Sequence, residues 1–457
     1  MHSRWLVVAL ACAASGARAE QGSTDPALDR LLRQAAERNP EVSQARAAVE
    51  AERRRVPQAG ALPDPVLSLG IQNDGFKSIQ IGEMETSFIS IGASQTLPWP
   101  GKRGLREQVA SLELRKAEAA LARAGLDLEA QVRGAYVDLL LAREQLILTG
   151  ELERLWEQAR GFARVRYESG QAPQSDLLRA QLELARLGQR RAIQQAQAAN
   201  AAAALNRLAG NALETPIDST ARLAGVDPAL PAEADALQEA DEHSPELAAA
   251  RLAVAESTAR TDLARKEMRP DISVQAAVMP RGKLDPMWQV GVSIPLQLWS
   301  GRKQGKALEE SEHRTAAAGQ GTESVRQVLA LRIRQRLHLL KATLEVNQRY
   351  RKGVLALSEA TTHSALAQYQ VGRVPFTTVL DALGSLVADR ASYLQSSADA
   401  QRIAIAQRAL TLDPPNAGSP GMTASPTSGA SNAAAAPARG ATESAQPAAS
   451  SQGMRSM

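Results

Sequence analysis

Large aromatic side chains are scarce in this sequence: they make up 3% of 457 residues, and cysteine occurs once. So thin a supply of rings excludes a thick, aromatic-filled globular core. Disulfide frameworks and thiolate metal sites need several cysteines, which Cys12 alone cannot supply. The five histidines, His2, His243, His313, His338 and His363, are scattered, with no pair at metal-ligand spacing. No glycine-rich phosphate loop or serine elbow follows a candidate strand, so the inventory of an enzyme is missing. No cofactor or resident metal is expected. A surplus of one charge is also absent: 53 Lys and Arg against 49 Asp and Glu leave +4, which does not suit a nucleic-acid-binding surface.

Long hydrophobic runs are lacking as well. No segment approaches the roughly 20 apolar residues of a membrane helix, so any membrane span must be a β-barrel. The uncharged stretch from Trp5 to Ala13 follows Arg4 and precedes Ala17, Arg18, Ala19 and Glu20. That order of charged, apolar and small residues predicts a secretory signal over 1–19. Cys12 then reads as a small hydrophobe discarded with the signal. Lipidation is the other reading, although Ala9, Leu10 and Ala11 make a poor lipoprotein box.

What the sequence does contain is one unit written twice. Asn39-Pro40-Glu41 ahead of Ala45-Arg46 returns as Ser244-Pro245-Glu246 ahead of Ala250-Arg251. Trp99-Pro100-Gly101-Lys102 returns as Trp299-Ser300-Gly301-Arg302. Tyr167, Gly170 and Pro173, ahead of Leu177 and Leu178, return as Tyr369, Gly372 and Pro375, ahead of Val379 and Leu380. The order is kept, which points to duplication rather than chance.

The first unit is expected over 20–208: a helix over about 25–59, strands at about 65–72 and 86–97, a long helix at about 102–168 and a return helix at about 173–208. A proline-bearing connector fills 209–233. The second unit occupies 234–412, with strands at about 271–279 and 286–296, a long helix at about 302–371 and a return helix at about 375–412. The Ser, Ala, Pro and Gly composition of 413–457 cannot bury a core and predicts a disordered tail.

Within the long helices, Leu121, Leu128, Val132, Leu139 and Leu146 recur at coiled-coil spacing, as do Leu329, Ile333, Leu337, Leu340 and Leu344. Gly134 and Gly150 are candidate kinks in the first. A helix of that length with so narrow an apolar stripe needs neighbouring helices to cover it.

Between the helices the period changes to two. Leu67, Leu69 and Ile71 alternate with Ser68, Gly70 and Gln72, and Ile89, Ile91 and Ala93 with Ser90, Gly92 and Ser94. In the second unit Val274, Ala276 and Val278 alternate with Gln275 and Ala277, and Trp288, Val290 and Val292 with Gln289, Gly291 and Ser293. A hairpin with one oily face can rest on a soluble core, but no other globular segment supplies one. The remaining arrangement turns the oily face to lipid and the polar face to a water-filled lumen. Trp99 and Trp299, with Gly101 and Gly301, mark the strand-to-helix junctions and fit an interfacial aromatic girdle. Four strands are too few for a closed barrel, since the smallest have about eight, so copies must share one.

In its duplicated plan, its Trp99-Pro100-Gly101-Lys102 junction and its Val371-Gly372 turn followed by Val379-Leu380-Asp381-Ala382, the chain resembles the TolC family of outer-membrane efflux proteins. The resemblance covers nearly all of the mature chain and leans toward the heavy-metal branch. It implies a mainly α fold with a small antiparallel β part, a homotrimer with a twelve-stranded outer-membrane barrel in lipid, and a periplasmic helical barrel. It also implies two partners, a periplasmic adaptor and an inner-membrane pump. Carried over by position, the tip gate falls on Tyr167, Asp176 and Arg179 and on Tyr369 and Asp381. The family's further acidic position falls on Thr378 here, so the second copy offers Asp381 alone. A carboxylate at Asp176 also suits the first turn of a helix whatever its function. Gly170 and Gly372 are expected to make the reversal and Pro173 and Pro375 to open the return helices, with Gln171 and Arg373 beside them as adaptor contacts. The competing readings are a protein-secretion duct within the family and, outside it, a periplasmic coiled-coil adaptor or scaffold.

Overall fold

A computed structural model describes residues 25–223, 225–226 and 230–413. The expected signal over 1–19, with Cys12, and the expected tail beyond Asp413 lie outside the described residues.

The helix expected over 25–59 is two helices, α1 (Pro26–Arg38) and α2 (Pro40–Ala59). The residue before a proline is pushed out of the helical region, and Asn39 accordingly has φ −66° and ψ 127°. Its side-chain oxygen accepts from the Glu41 N–H at 2.9 Å, and Pro40 occupies the first helical turn, where its missing N–H costs nothing. The duplicate behaves alike. α5 (Glu233–His243) and α6 (Pro245–Glu267) are split at Ser244, whose hydroxyl accepts from the Leu247 N–H.

The first long helix, α3 (Lys102–Glu168), has 67 residues and runs unbroken through Gly134 and Gly150, a length of about 100 Å at ~1.5 Å per residue. It returns as α4 (Gln174–Ala209). The second long helix departs from an uninterrupted rod. α7 (Gln304–Arg349) passes into a wide π turn at Tyr350–Val354 before α8 (Leu355–Gln370), and α9 (Phe376–Arg408) runs back.

The cores form strips between helices rather than one centre. α3 is the spine, packed against α4, α2, α6 and α9. One strip joins Leu31, Val132, Leu139 and Leu205, and another, toward the hairpin turns, joins Leu152, Trp156, Leu366, Phe376 and Leu383. Burying each such leucine contributes roughly 2 kcal/mol, so the long rods are held by many small increments.

The strands β1 (Val66–Gln72), β2 (Phe88–Leu97), β3 (Ile272–Arg281) and β4 (Leu284–Ser293) form one antiparallel sheet in the order β1-β2-β3-β4. β4 stops earlier than its alternation predicts, because Pro295 has no N–H for a ladder. The register lines up apolar residues across the sheet. Leu69 faces Ile91, Ile91 faces Val278, and Val278 faces Trp288. Those side chains are open to the surroundings, with Leu69 and Ile71 73% exposed and Trp288 78% exposed. Among the described residues no helix is long and apolar enough to cross a membrane.

Candidate functional site

The two hairpin turns, after α3 and after α8, are built alike. Gly170 and Gly372 have φ of +72° and +80°, the left-handed region that side chains resist. At each turn the glycine N–H donates to the carbonyl of the tyrosine before it, Gly170 to Tyr167 and Gly372 to Tyr369, both at 3.0 Å. Pro173 and Pro375 stand at the caps of α4 and α9 with extended backbone, one residue ahead of the first helical turn where they were expected. Extended ψ is what carries the chain from the left-handed glycine into the next helix.

The surroundings of the two turns differ. Tyr369 is 1% exposed, tilted against Phe376 with ring centroids 5.1 Å apart. Its hydroxyl donates to Asp176 Oδ2 of the other hairpin at 3.1 Å. Above the ring lies the Arg166 guanidinium, 4.8 Å from the centroid, and its Nη1 donates to the Tyr369 carbonyl at 2.8 Å. Arg166 Nη2 also reaches the Gln171 carbonyl at 3.1 Å. One cation thus ties both turns together. Burial, and next the Asp176 charge, push the Tyr369 hydroxyl up to about 12.

Asp176 lies in the first turn of α4, but its helix has no side-chain cap. Its carboxylate serves Tyr369 instead. Tyr167, the counterpart of Tyr369, is 42% exposed. Arg179, Asp381 and Arg373 are exposed, and none makes a side-chain hydrogen bond or ion pair among the described residues. The structure therefore joins Asp176 to Tyr369 by a hydrogen bond and leaves Tyr167, Arg179 and Asp381 without a side-chain bond among the described residues. Arg166 escaped the sequence reading. The signal that could have found it is a difference between copies, because Gln368 stands at the equivalent position beside Tyr369.

The strand-to-helix junctions show the same contrast. At the first, Gly101 with φ +93° starts α3. Lys102 is 4% exposed, and its Nζ donates to Asp271 Oδ1 and to the Arg269 carbonyl, both at 2.7 Å. Asp271 Oδ1 also accepts the Trp99 N–H at 2.9 Å. At the second, the Arg302 N–H donates to the Trp299 carbonyl at 3.0 Å, as that of Lys102 does to Trp99 at 3.1 Å. Yet Trp299 is 71% exposed and Gly301 keeps an ordinary φ. The Arg302 side chain is exposed and meets no polar partner among the described residues.

A family model described as outer membrane efflux protein matches residues 31–211 and, a second time, residues 236–411. The chain belongs to the outer membrane efflux protein family. This efflux protein is 27% identical over 376 residues to the cobalt-zinc-cadmium resistance protein CzcC of Cupriavidus metallidurans, covering 80% of this chain and 85% of that one. Its fold matches a membrane protein from Pseudomonas aeruginosa with TM-score 0.72 at 20% identity, over 85% of this chain and 94% of the other. It also matches CusC, whose crystal structures concern folding and transmembrane channel formation, with TM-score 0.69 at 22% identity, over 85% and 92%. The outer membrane efflux protein is accordingly an outer-membrane channel with a large periplasmic helical part.

Proposed function

We propose that this efflux protein is the passive outer-membrane duct of a tripartite system, with three copies pooling their strands into one twelve-stranded barrel. The observation that carries the reading is the sheet. Its apolar face is exposed across all four strands and both edges, β1 and β4, lack strand partners among the described residues. Such a face suits lipid, and such edges suit closure with further copies. The chain itself does no chemistry, and an inner-membrane pump and a periplasmic adaptor supply drive and connection. Divalent metal cations are the cargo favoured by the similarity to the cobalt-zinc-cadmium resistance protein.

In this reading the hairpin tips close the duct and meet the adaptor. Asp176, Tyr369 and Arg166 hold the tip shut, while Tyr167, Arg179 and Asp381 face the passage. Gln171 and Arg373, set out by Gly170, Pro173, Gly372 and Pro375, face the adaptor. Polar and charged groups suit a constriction that must form and break. The test is deletion of the gene, with cobalt, zinc and cadmium tolerance and cellular metal content as readouts. Lost tolerance with metal retained in the cells supports the reading, and unchanged tolerance rejects the cation cargo. Release of the protein from membranes by salt or osmotic shock would reject the duct itself.

A further inference from the structure

The first repeat meets the second at one internal boundary, where β2 pairs with β3 and Lys102, at the head of α3, grips Asp271, just ahead of β3. The duplicated plan calls for the same boundary again, where β4 and the head of α7 meet β1. Among the described residues nothing fills it, since β1 and β4 are opposite edges of the sheet. Its parts are present all the same. Asp64 follows Pro63 as Asp271 follows Pro270, and Leu67, Leu69 and Ile71 stand where Val274, Ala276 and Val278 stand. Gly291 and Ser293 of β4 repeat Gly92 and Ser94 of β2, and Arg302 repeats Lys102. Asp64 and Arg302 are both exposed, and neither has a side-chain hydrogen bond or ion pair among the described residues. Opposite charges left open at two ends of a built pattern are complementary to each other.

We infer that a second copy of this chain completes the boundary in one register. Val290 pairs with the partner subunit's Ile71, Val292 with the partner subunit's Leu69, and Ser293 with the partner subunit's Ser68. The Arg302 guanidinium takes the partner subunit's Asp64, as Lys102 takes Asp271. The register follows from the internal pairs Ile91 with Val278, Ala93 with Ala276 and Ser94 with Gln275. A slip by one residue would set every apolar side chain of β4 against the polar row of β1. The second copy carries one residue more between Ser293 and Trp299 than the first has between Ser94 and Trp99. Arginine, with its long stem and two-pronged head, bridges the altered approach.

The inference rests on the trimeric duct proposed above, and cysteine pairs separate the two. Ser68→Cys with Ser293→Cys, oxidised in the detergent-purified full chain, is expected to convert monomer bands into a covalent trimer on a non-reducing gel. Gln72→Cys with Ser293→Cys sits about 14 Å out of step at ~3.4 Å per residue, and should leave monomer, as should each single variant. A trimer that is intact by native mass yet cross-links in the Gln72→Cys pairing, or in neither pairing, overturns the register and leaves the duct standing. A monomer by native mass overturns the trimeric duct, and this inference with it. For the ion pair, Asp64→Arg and Arg302→Asp should each lose the trimer measured by native mass, and the double exchange should recover it. Singles without loss, or a double without recovery, overturn the pair.

Discussion

Lys102 and Arg302 occupy the same place in the two repeats, as do Tyr369 and Tyr167, yet one member of each pair is buried and bonded while the other is open. The motifs alone do not explain this. A chain that carries two copies of a unit has one boundary between copies inside it and another that it cannot close. Residues facing the internal boundary gain a shielded environment, where an ion pair is strong and breaking it is costly. Residues facing outward keep water and mobility. Similar sequence thus yields different energetics by position in the assembly.

The largest expected break in that contrast is Lys102→Ala. It strips Asp271 and the Arg269 carbonyl of a buried partner and should cost about 3 kcal/mol, read as a lower denaturation midpoint in detergent. Arg302→Ala in a dissociated chain should cost less than about 1 kcal/mol, and equal losses would end the distinction.

Next comes Tyr369→Phe, which removes the hydroxyl on Asp176 and should cost about 2 kcal/mol, the scale of a hydrogen bond to a charged group. Tyr167→Phe should be silent. The same hydroxyl predicts an alkaline signature. Its folded value, about 12, lies above its ordinary 10, so the stabilisation is complete below pH 10 and is lost as pH rises toward 12. Tyr136, whose hydroxyl bonds Asp25 and Ser219 midway along α3, is pushed up to about 12 in the same way. Thermal midpoints measured between pH 10 and 12 should fall, and fall less in Tyr369→Phe.

A smaller effect is expected at the turns. Gly170→Ala should cost about 1 kcal/mol for its left-handed backbone alone. Gly372→Ala adds crowding, because a Cβ there would meet Arg166 Nη2 at 3.2 Å, whereas nothing lies within 4 Å at Gly170. A Gly170→Ala variant as damaged as Gly372→Ala would show that the two tips are equivalent after all.

The fold class was legible because its signals are periodic and repeated. Leucine spacing marks the long helices and alternation marks the strands, whereas the break at Pro40, inside the helix expected over 25–59, came only with the structure. The candidate site was less open to reading. Tyr369 and Asp176 are 193 residues apart in sequence, and nothing local says that they meet. Arg166 reads as one more charge near a helix end, until the packing of one hairpin on the other sets it over a ring. Tyr167 and Arg302 have no side-chain hydrogen bond or ion pair among the described residues, so their difference from Tyr369 and Lys102 shows only once the fold is known.

The wide turn at Tyr350–Val354 has a consequence for how the duplicated rods stay matched. Between Arg302 and Tyr369 the second copy holds two residues more than the first holds between Lys102 and Tyr167. An extra residue in an ordinary helix would rotate everything beyond it by about 100°. A π turn takes up one of the two locally, and beyond it Thr362, Leu366 and Tyr369 are buried. The turn therefore acts as a phase corrector. Removing one residue within it should regularise the helix while sparing the tip, whereas removing one from the unbroken α3 would swing Arg166 away from Tyr369.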